Sequence, residues 1–116
     1  MFKIVDVPSF KWPVKIHIPK DGGTFTVATF TGVFAALPQD EIDAALEKLR
    51  EDALDENFAS RILIDWGAGQ VQDVDGSELP YSDEAKAKLL RMPYVRTGVT
   101  RSFFDAVSGG AARRKN

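Results

Sequence analysis

The chain is organised around residues 62–82, which read ILIDWGAGQVQDVDGSELPYS. The apolar residues up to Trp66 continue a helical spacing and predict the end of a buried helix. Gly67 or Gly69 is expected to stop that helix, because the position past a helix end favours a left-handed residue. Residues 73–76, Asp-Val-Asp-Gly, predict a tight turn in which aspartate side chains bond the nearby backbone and glycine closes the turn.

Two extended segments precede this region. Residues 12–18, WPVKIHI, alternate apolar and polar side chains, which is typical of a strand with one buried face. Residues 24–30, TFTVATF, are rich in β-branched and aromatic residues and predict a second strand. Residues 21–23, DGG, can supply the positive φ that a hairpin turn needs. Because Pro13 and Pro19 cannot donate to a ladder, we expect the first strand to lie at an edge of the sheet.

Four helices are predicted after the hairpin. The first begins near Pro38, where proline and the following acids suit a helix N-terminus. Asp55 is expected to cap the second helix, whose inner face would run from Phe58 to Trp66. Ser82 is expected to cap the third, and a fourth is predicted from about Val95 to Val107.

The predicted fold class is α+β, with an N-terminal β-hairpin at about residues 10–34 packed on a bundle of about four short helices at about residues 38–107. We expect a single domain over residues 1–110. Residues 111–116, AARRKN, are expected to form a flexible basic tail. A chain of 116 residues with 44% hydrophobic residues fits one domain with its own core.

Composition excludes several function classes. The chain has no cysteine, which excludes disulfides, thiolate nucleophiles and cysteine-ligated zinc. No apolar stretch approaches the roughly 20 residues of a membrane span, so we expect no membrane association. The N-terminus, MFKIVD, lacks the pattern of a signal peptide. An isoelectric point near 5.3 and the lack of basic–aromatic interleaving predict no nucleic-acid partner.

The charges are unevenly distributed along the chain. Residues 1–37 hold four lysines and two aspartates, for +2; residues 38–84 hold fourteen acids and three bases, for −11. Residues 85–116 hold eight bases and one aspartate, for +7, so the total is −2. Charge runs usually serve as a solvated helix face and a basic tail. The alternative is a dipolar subunit that self-associates head to tail.

No pattern in the sequence predicts a catalytic, metal or cofactor site. His17 is the only histidine, and it falls on the polar phase of the first predicted strand. The acidic turn resembles the start of a calcium loop, but counting from Asp73 places Glu78 at the sixth position, where glycine is required. Gly67 and Gly69 lack the further residues of a phosphate-binding loop. We therefore expect no enzyme activity, no cofactor and no metal.

The two tryptophans are candidates for either the core or an interface, where tryptophan is enriched. Trp66 follows an apolar run at helical spacing, which favours the core. Trp12 opens an edge strand, and the two interpretations stay open there.

Several segments in order resemble the tail assembly chaperones of long-tailed bacteriophages. The central part of the resemblance is Trp-Gly, a short gap, Asp-x-x-Gly and then Leu-Pro-Tyr-Ser before a helix. The family often has a valine soon after Trp-Gly, whereas Ala68-Gly69-Gln70 precede Val71 here. The similar segments are Phe10–Val14, Asp65–Gly67, Val71–Gly76, Leu79–Glu84, Leu89–Pro93 and Arg114–Asn116.

The resemblance implies a non-enzymatic role in the cytoplasm of the host bacterium. Proteins of this family coat the tape measure protein, keep it soluble during tail assembly and are absent from the mature virion. Many members also have a longer form, made by a programmed ribosomal frameshift, that recruits the tail tube subunit. The present chain would be the short form, and a homo-oligomer is expected.

Two sets of residues are the site candidates. The family motif gives candidates for loop structure or partner binding: Trp66, Gly67, Asp73, Gly76, Leu79, Pro80, Tyr81 and Ser82. The edge strand gives candidates for self-association: Trp12, Val14, Ile16 and Ile18. The alternative functions are a structural tail or head–tail connector protein retained in the virion and, less favoured by the sequence, a small hydrolase or metal-dependent enzyme.

Overall fold

The computed structural model describes residues 8–51 and 56–108, with side chains described for residues 8–48 and 58–108. The fold is α+β, as predicted, and its three-stranded antiparallel sheet has the order β1-β2-β3. The predicted cap at Asp55 and the predicted tail at residues 111–116 lie outside the described residues. The elements are β1 (Ser9–Lys20), β2 (Thr24–Ala35), α1 (Gln39–Glu51), α2 (Glu56–Ile62), β3 (Leu63–Trp66), α3 (Asp83–Leu89) and α4 (Pro93–Val107).

The predicted hairpin is confirmed. β1 and β2 pair along their whole length, from Ser9 opposite Ala35 to Lys20 opposite Thr24. Gly22 and Gly23 in the turn have φ of +87° and +81°, a conformation that only glycine adopts without strain. β1 lies at an edge of the sheet, as its two prolines indicated.

The predicted helix end at Trp66 is wrong, because residues 63–66 form strand β3. Trp66 pairs with Gly32, and Leu63 pairs with Phe34, with Ile64 as the extra residue of a β-bulge. The bulge lets Leu63 and Trp66 both face the core, where each is at most 3% exposed. A bulged strand thus reproduces the spacing of a helix face, which explains the error.

Gly32 makes room for this strand. A Cβ on Gly32 would lie 2.9 Å from Leu63 Cδ1 and 3.1 Å from Val14 Cγ2. Contacts that short require neighbouring atoms to move, so the absence of a side chain here allows β3 to dock.

The predicted bundle of four helices is not confirmed. α4 packs chiefly against β1, and its main helix partner is α2. At Gly98 the helix approaches the strand so closely that a Cβ would lie 2.6 Å from the backbone oxygen of Lys15. Ser102 Oγ accepts a hydrogen bond of 3.1 Å from the backbone N–H of Lys15. α4 also begins at Pro93 rather than Val95, since proline suits the first helical turn.

The core lies between the sheet and the helices, and it includes Ile42 and Ala45 of α1. Phe103 is fully buried, and its ring packs edge-on against Phe34 at 5.7 Å and Phe58 at 5.8 Å. Leu46 of α1 and Met92, just before α4, are apolar but lie 41% and 45% exposed. The largest fully buried side chains are Val14, Phe34, Ile62, Leu63, Leu90, Val99 and Phe103.

Candidate partner-binding groove

The motif tryptophan is a core residue. Trp66 is 3% exposed, and its indole Nε1 donates a 2.9 Å hydrogen bond to the backbone oxygen of Leu79. Its ring meets Tyr81 edge-on at 5.0 Å and Phe30 edge-on at 6.3 Å. The core interpretation of Trp66 is therefore confirmed, and Leu79 and Tyr81 are held against it.

The acidic turn is confirmed as a backbone-bonding turn. The N–H of Gly76 donates to the carbonyl of Asp73 at 2.9 Å, and Gly76 has φ of +86°. One carboxylate oxygen of Asp75 accepts from both the backbone N–H and the hydroxyl of Ser77, at 2.9 and 2.6 Å. Ser82 caps α3 as predicted, since its hydroxyl accepts from the N–H of Ala85 at 3.0 Å.

Both turn aspartates have a lowered pKa. The hydrogen bond from Lys88, with Nζ 2.7 Å from Asp73 Oδ1, is the largest cause for Asp73, followed by the bond from the N–H of Val74. The two bonds from Ser77 lower the pKa of Asp75. Among the described residues, no group of three histidine, cysteine, aspartate or glutamate side chains is placed to hold a metal ion. The hydrogen bonds that both carboxylates accept within residues 73–77 hold the turn, and the bond from Lys88 ties it to α3.

The segment after Trp66 is fastened beside β2. Gln70 Oε1 accepts a 2.7 Å hydrogen bond from the backbone N–H of Thr31. Glu78 accepts a 2.8 Å bond from the N–H of Gly69, which has φ of +76°. The helix stop predicted at Gly67 or Gly69 is wrong, because α2 already ends at Ile62. Gly69 does take the left-handed conformation, but within a turn that follows strand β3.

Between this segment and the hairpin lies a cavity of about 280 Å³, which we call the groove. One wall is the core-facing side of the hairpin, and the other is formed by residues 70–72 with the start of α4. Its volume lies at the lower end of the roughly 300–1,000 Å³ of small-molecule sites, and its mainly apolar lining can accept one or two apolar side chains of a partner. The apolar residues that line it are Ile16, Ile18, Ala28, Phe30, Val71, Leu89, Tyr94 and Val95.

The eight motif residues named from the sequence lie in the loop beside the groove or at its ends. Six of the eight motif residues hold the loop in place through the contacts described above: Trp66, Asp73, Gly76, Leu79, Tyr81 and Ser82. Gly67 and Pro80 lie exposed on the loop. None of these eight motif residues lines the groove; residues 70–72 between them do. In this structure the motif positions one wall of the groove.

A second cavity, of about 290 Å³, lies between α4 and the far end of the hairpin. His17, Phe25, Tyr94 and Arg101 line it. The His17 ring meets Phe25 edge-on at 6.2 Å. No carboxylate lines this cavity to orient the imidazole as a general base, so its geometry gives no acid–base site within the described residues.

The structure separates the predicted self-association residues. Val14 and Ile16 are core residues at 0% and 6% exposure, while Trp12 and Ile18 are half-buried. Of these four residues, Trp12 and Ile18 are the ones with substantial accessible surface. Trp12 packs against the core and is also partly exposed, so both interpretations of this residue stay open. Self-association through this strand stays a prediction.

Sequence reasoning missed most of the groove. The sequence places Phe30 in a predicted strand and leaves Tyr94 just outside the fourth predicted helix. It does not bring them together with Leu89, because their joint position depends on where β3 ends and α4 begins. The exposed pair Phe25 and Val27, at 60% and 54%, was also missed. Pairing the two predicted strands about the DGG turn would have placed that pair opposite Pro19 and His17, on the face away from Ile16.

Comparison with known proteins gives a family. No curated protein and no solved structure shows significant similarity to the chain. In the described part of the chain, none of the helices has the length and apolar character needed to cross a membrane. A family model described as YdaY prophage protein matches residues 16–116. The match covers most of the chain, so this phage-derived protein belongs to the YdaY prophage protein family.

Proposed function

We propose that this prophage protein is a tail assembly chaperone that binds the tape measure protein and keeps it soluble during tail morphogenesis. The observation that carries the proposal is the groove, an open apolar cavity. It lies beside the motif loop, whose sequence resembles the tail assembly chaperones. A tape measure protein presents apolar helical segments before the tail tube forms around it. An amphipathic helix laid in an apolar groove, with anchors at helical spacing, is a common recognition mode.

The groove suits such an anchor in size and chemistry. Phe30, Leu89 and Tyr94 are half-buried, so they present apolar surface while keeping contact with the core. Gln70 and Gln72 at the rim are exposed and can bond the polar edge of a bound helix. A contact of this size is weak by itself, which suits a chaperone that must leave when the tube subunit arrives.

The remaining parts of the proposal follow from the resemblance. The chain acts without enzyme activity or cofactor, as a homo-oligomer in the host cytoplasm, and is absent from the mature virion. A longer frameshifted form recruits the tail tube subunit. Mass spectrometry of purified particles separates this function from that of a structural tail or head–tail connector protein, which would be present in the virion in stoichiometric amounts.

The test is co-expression with the tape measure protein of the same prophage, comparing Leu89→Glu with Ala87→Glu. Leu89 lines the groove, whereas Ala87 is exposed two residues away on the same helix and does not line it. The wild type and Ala87→Glu should solubilise the tape measure protein and co-purify with it, while Leu89→Glu should lose most of both. Equal capture by the two variants would remove the groove from the proposal, and no capture by the wild type would end it.

A further inference from the structure

One edge of the sheet is left open along the far end of β2. The N–H of Lys15 points outward from β1 to Ser102, and that of Thr31 points away from β1 to Gln70. Because hydrogen-bonding direction alternates along an antiparallel strand, Phe25, Val27 and Thr29 also direct their N–H and C=O groups away from β1. β3 pairs only with residues 32–34, so these groups have no hydrogen-bond partner within the described chain.

The opposite edge of the sheet is protected. On β1, Pro13 and Pro19 have no N–H to offer, and Ser102 of α4 satisfies Lys15. Proteins usually block edge strands with charges, prolines, bulges or a covering helix. Residues 24–30, TFTVATF, contain no charge and no proline, and β3, which pairs only with residues 32–34, does not reach their outer edge.

We infer that this edge of β2 pairs antiparallel with β2 of a second copy of the chain, about a two-fold axis at Val27. The open stretch runs from Thr24, after the hairpin turn, to Phe30, before the Gln70 cap on Thr31, so Val27 is its centre. Val27 then lies opposite Val27 of the second copy, and Phe25 lies opposite Thr29 of the second copy. Each outward-facing pair exchanges two backbone hydrogen bonds.

The stretch is complementary to itself, which is why we assign a second copy as its partner. Aromatic–β-branched and β-branched pairs are favourable across strands, and an uncharged stretch brings no like charges together. A two-fold contact of this kind closes into a dimer. The inference gives a surface to the self-association in the proposed function, but it does not rest on binding of the tape measure protein.

Cysteine crosslinking tests the register. The chain has no cysteine, so Val27→Cys introduces a single thiol. In the inferred dimer the two Cα atoms at this position would be about 5.5 Å apart, within reach of a disulfide. His17→Cys is the matched control, because His17 is the residue directly opposite Val27 in the hairpin and is also exposed. Under mild oxidation Val27→Cys should form a disulfide dimer, and His17→Cys should remain monomeric on a non-reducing gel.

Equal crosslinking of the two variants, or crosslinking of His17→Cys alone, would overturn the inference. Proline substitutions supply an independent test by analytical ultracentrifugation without any tape measure protein. The wild type should sediment at twice the 12.8 kDa of one chain, and Val27→Pro should sediment as a monomer. His17→Pro removes an outward N–H from the other edge and should keep the dimer. A wild type that is monomeric, or a folded Val27→Pro that stays dimeric, would contradict the inference.

Discussion

The two halves of the β-hairpin differ in what surrounds them. In the near half, Val14 and Phe34 are fully buried beneath α4 and α2. In the far half, Phe25 and Val27 are more than half exposed, and residues 24–29 are exposed on both faces of the strand. One continuous pair of strands therefore contributes a core at one end and an open surface at the other. Apolar residues that face solvent in this way are available for binding.

The largest expected effect contrasts the two halves directly. Phe103→Ala removes a buried ring that packs against Phe34 and Phe58, so we expect the free energy of unfolding to fall by about 3–5 kcal/mol. Phe25→Ala in the far half should change it by less than about 0.5 kcal/mol under conditions in which the chain is monomeric. Urea unfolding followed by circular dichroism measures both. Similar losses from the two variants would show that the far half belongs to the core.

Gly98 tests how closely the near half is covered. Alanine favours a helix over glycine by about 1 kcal/mol, yet a Cβ here would lie 2.6 Å from both Lys15 O and Ile16 Cδ1. We expect Gly98→Ala to destabilise the protein by about 1–3 kcal/mol, as overpacking does. The change in thermal midpoint measures it. A gain in stability would mean that α4 does not approach β1 as closely as described.

Lys86 and Lys88 sharpen the contrast between interior and surface contacts on one helix. Lys86 Nζ donates to the carbonyls of Ser60 and Leu63 at 2.7 and 3.1 Å, and lies 5.8 Å from the ring centre of Tyr81. Removing these bonds in Lys86→Met should cost about 1–3 kcal/mol. Lys88→Met, which removes only an exposed ion pair, should cost less than about 1 kcal/mol. Chemical denaturation would contradict this assignment if the order were reversed.

The smallest effect expected is the pH dependence of the acidic turn. Asp73 has its pKa lowered in the folded state, so its contribution to stability is present above the usual carboxyl range and is lost as pH falls through the folded pKa. The stability difference between the wild type and Asp73→Asn should be constant from neutral pH down to about pH 5 and shrink below roughly pH 4. Thermal midpoints across this range measure it. A difference that grew on acidification would have the wrong sign.

Patterns of a few neighbouring residues correctly predicted the hairpin, the acidic turn and the cap of α3. The strand alternation around Ile16, the glycines of the turn, the Asp73–Gly76 turn and the Ser82 cap each depend on a few neighbouring residues, and each was found. The end of α2 was misjudged because the β-bulge at Ile64 gives Leu63 and Trp66 a helix-like spacing. Residues 63–66 form a strand because they pair with distant residues such as Gly32, and local propensity does not report such a pairing.

The groove was beyond sequence reasoning for a related reason. Its walls come from the hairpin, the motif loop and the start of α4, which are far apart in the sequence. One of the contacts that join them, the hydrogen bond from Thr31 to Gln70, spans 39 residues. The free edge of β2 likewise exists because β3 ends at Trp66. The motif can be recognised in the sequence, whereas only the structure shows that it holds residues 70–72 in place as one wall of the groove.

Hydrogen–deuterium exchange of the purified chain, with and without the tape measure protein, tests the central claim most directly. Binding in the groove should slow exchange of the amides in residues 28–30 and 70–72, while the outer end of α4 near Val107 stays unchanged. The Leu89→Glu variant should show no such protection, and Ala87→Glu should behave as the wild type. Protection that leaves residues 70–72 unaffected, or no protection when the wild type has bound the tape measure protein, would contradict the account.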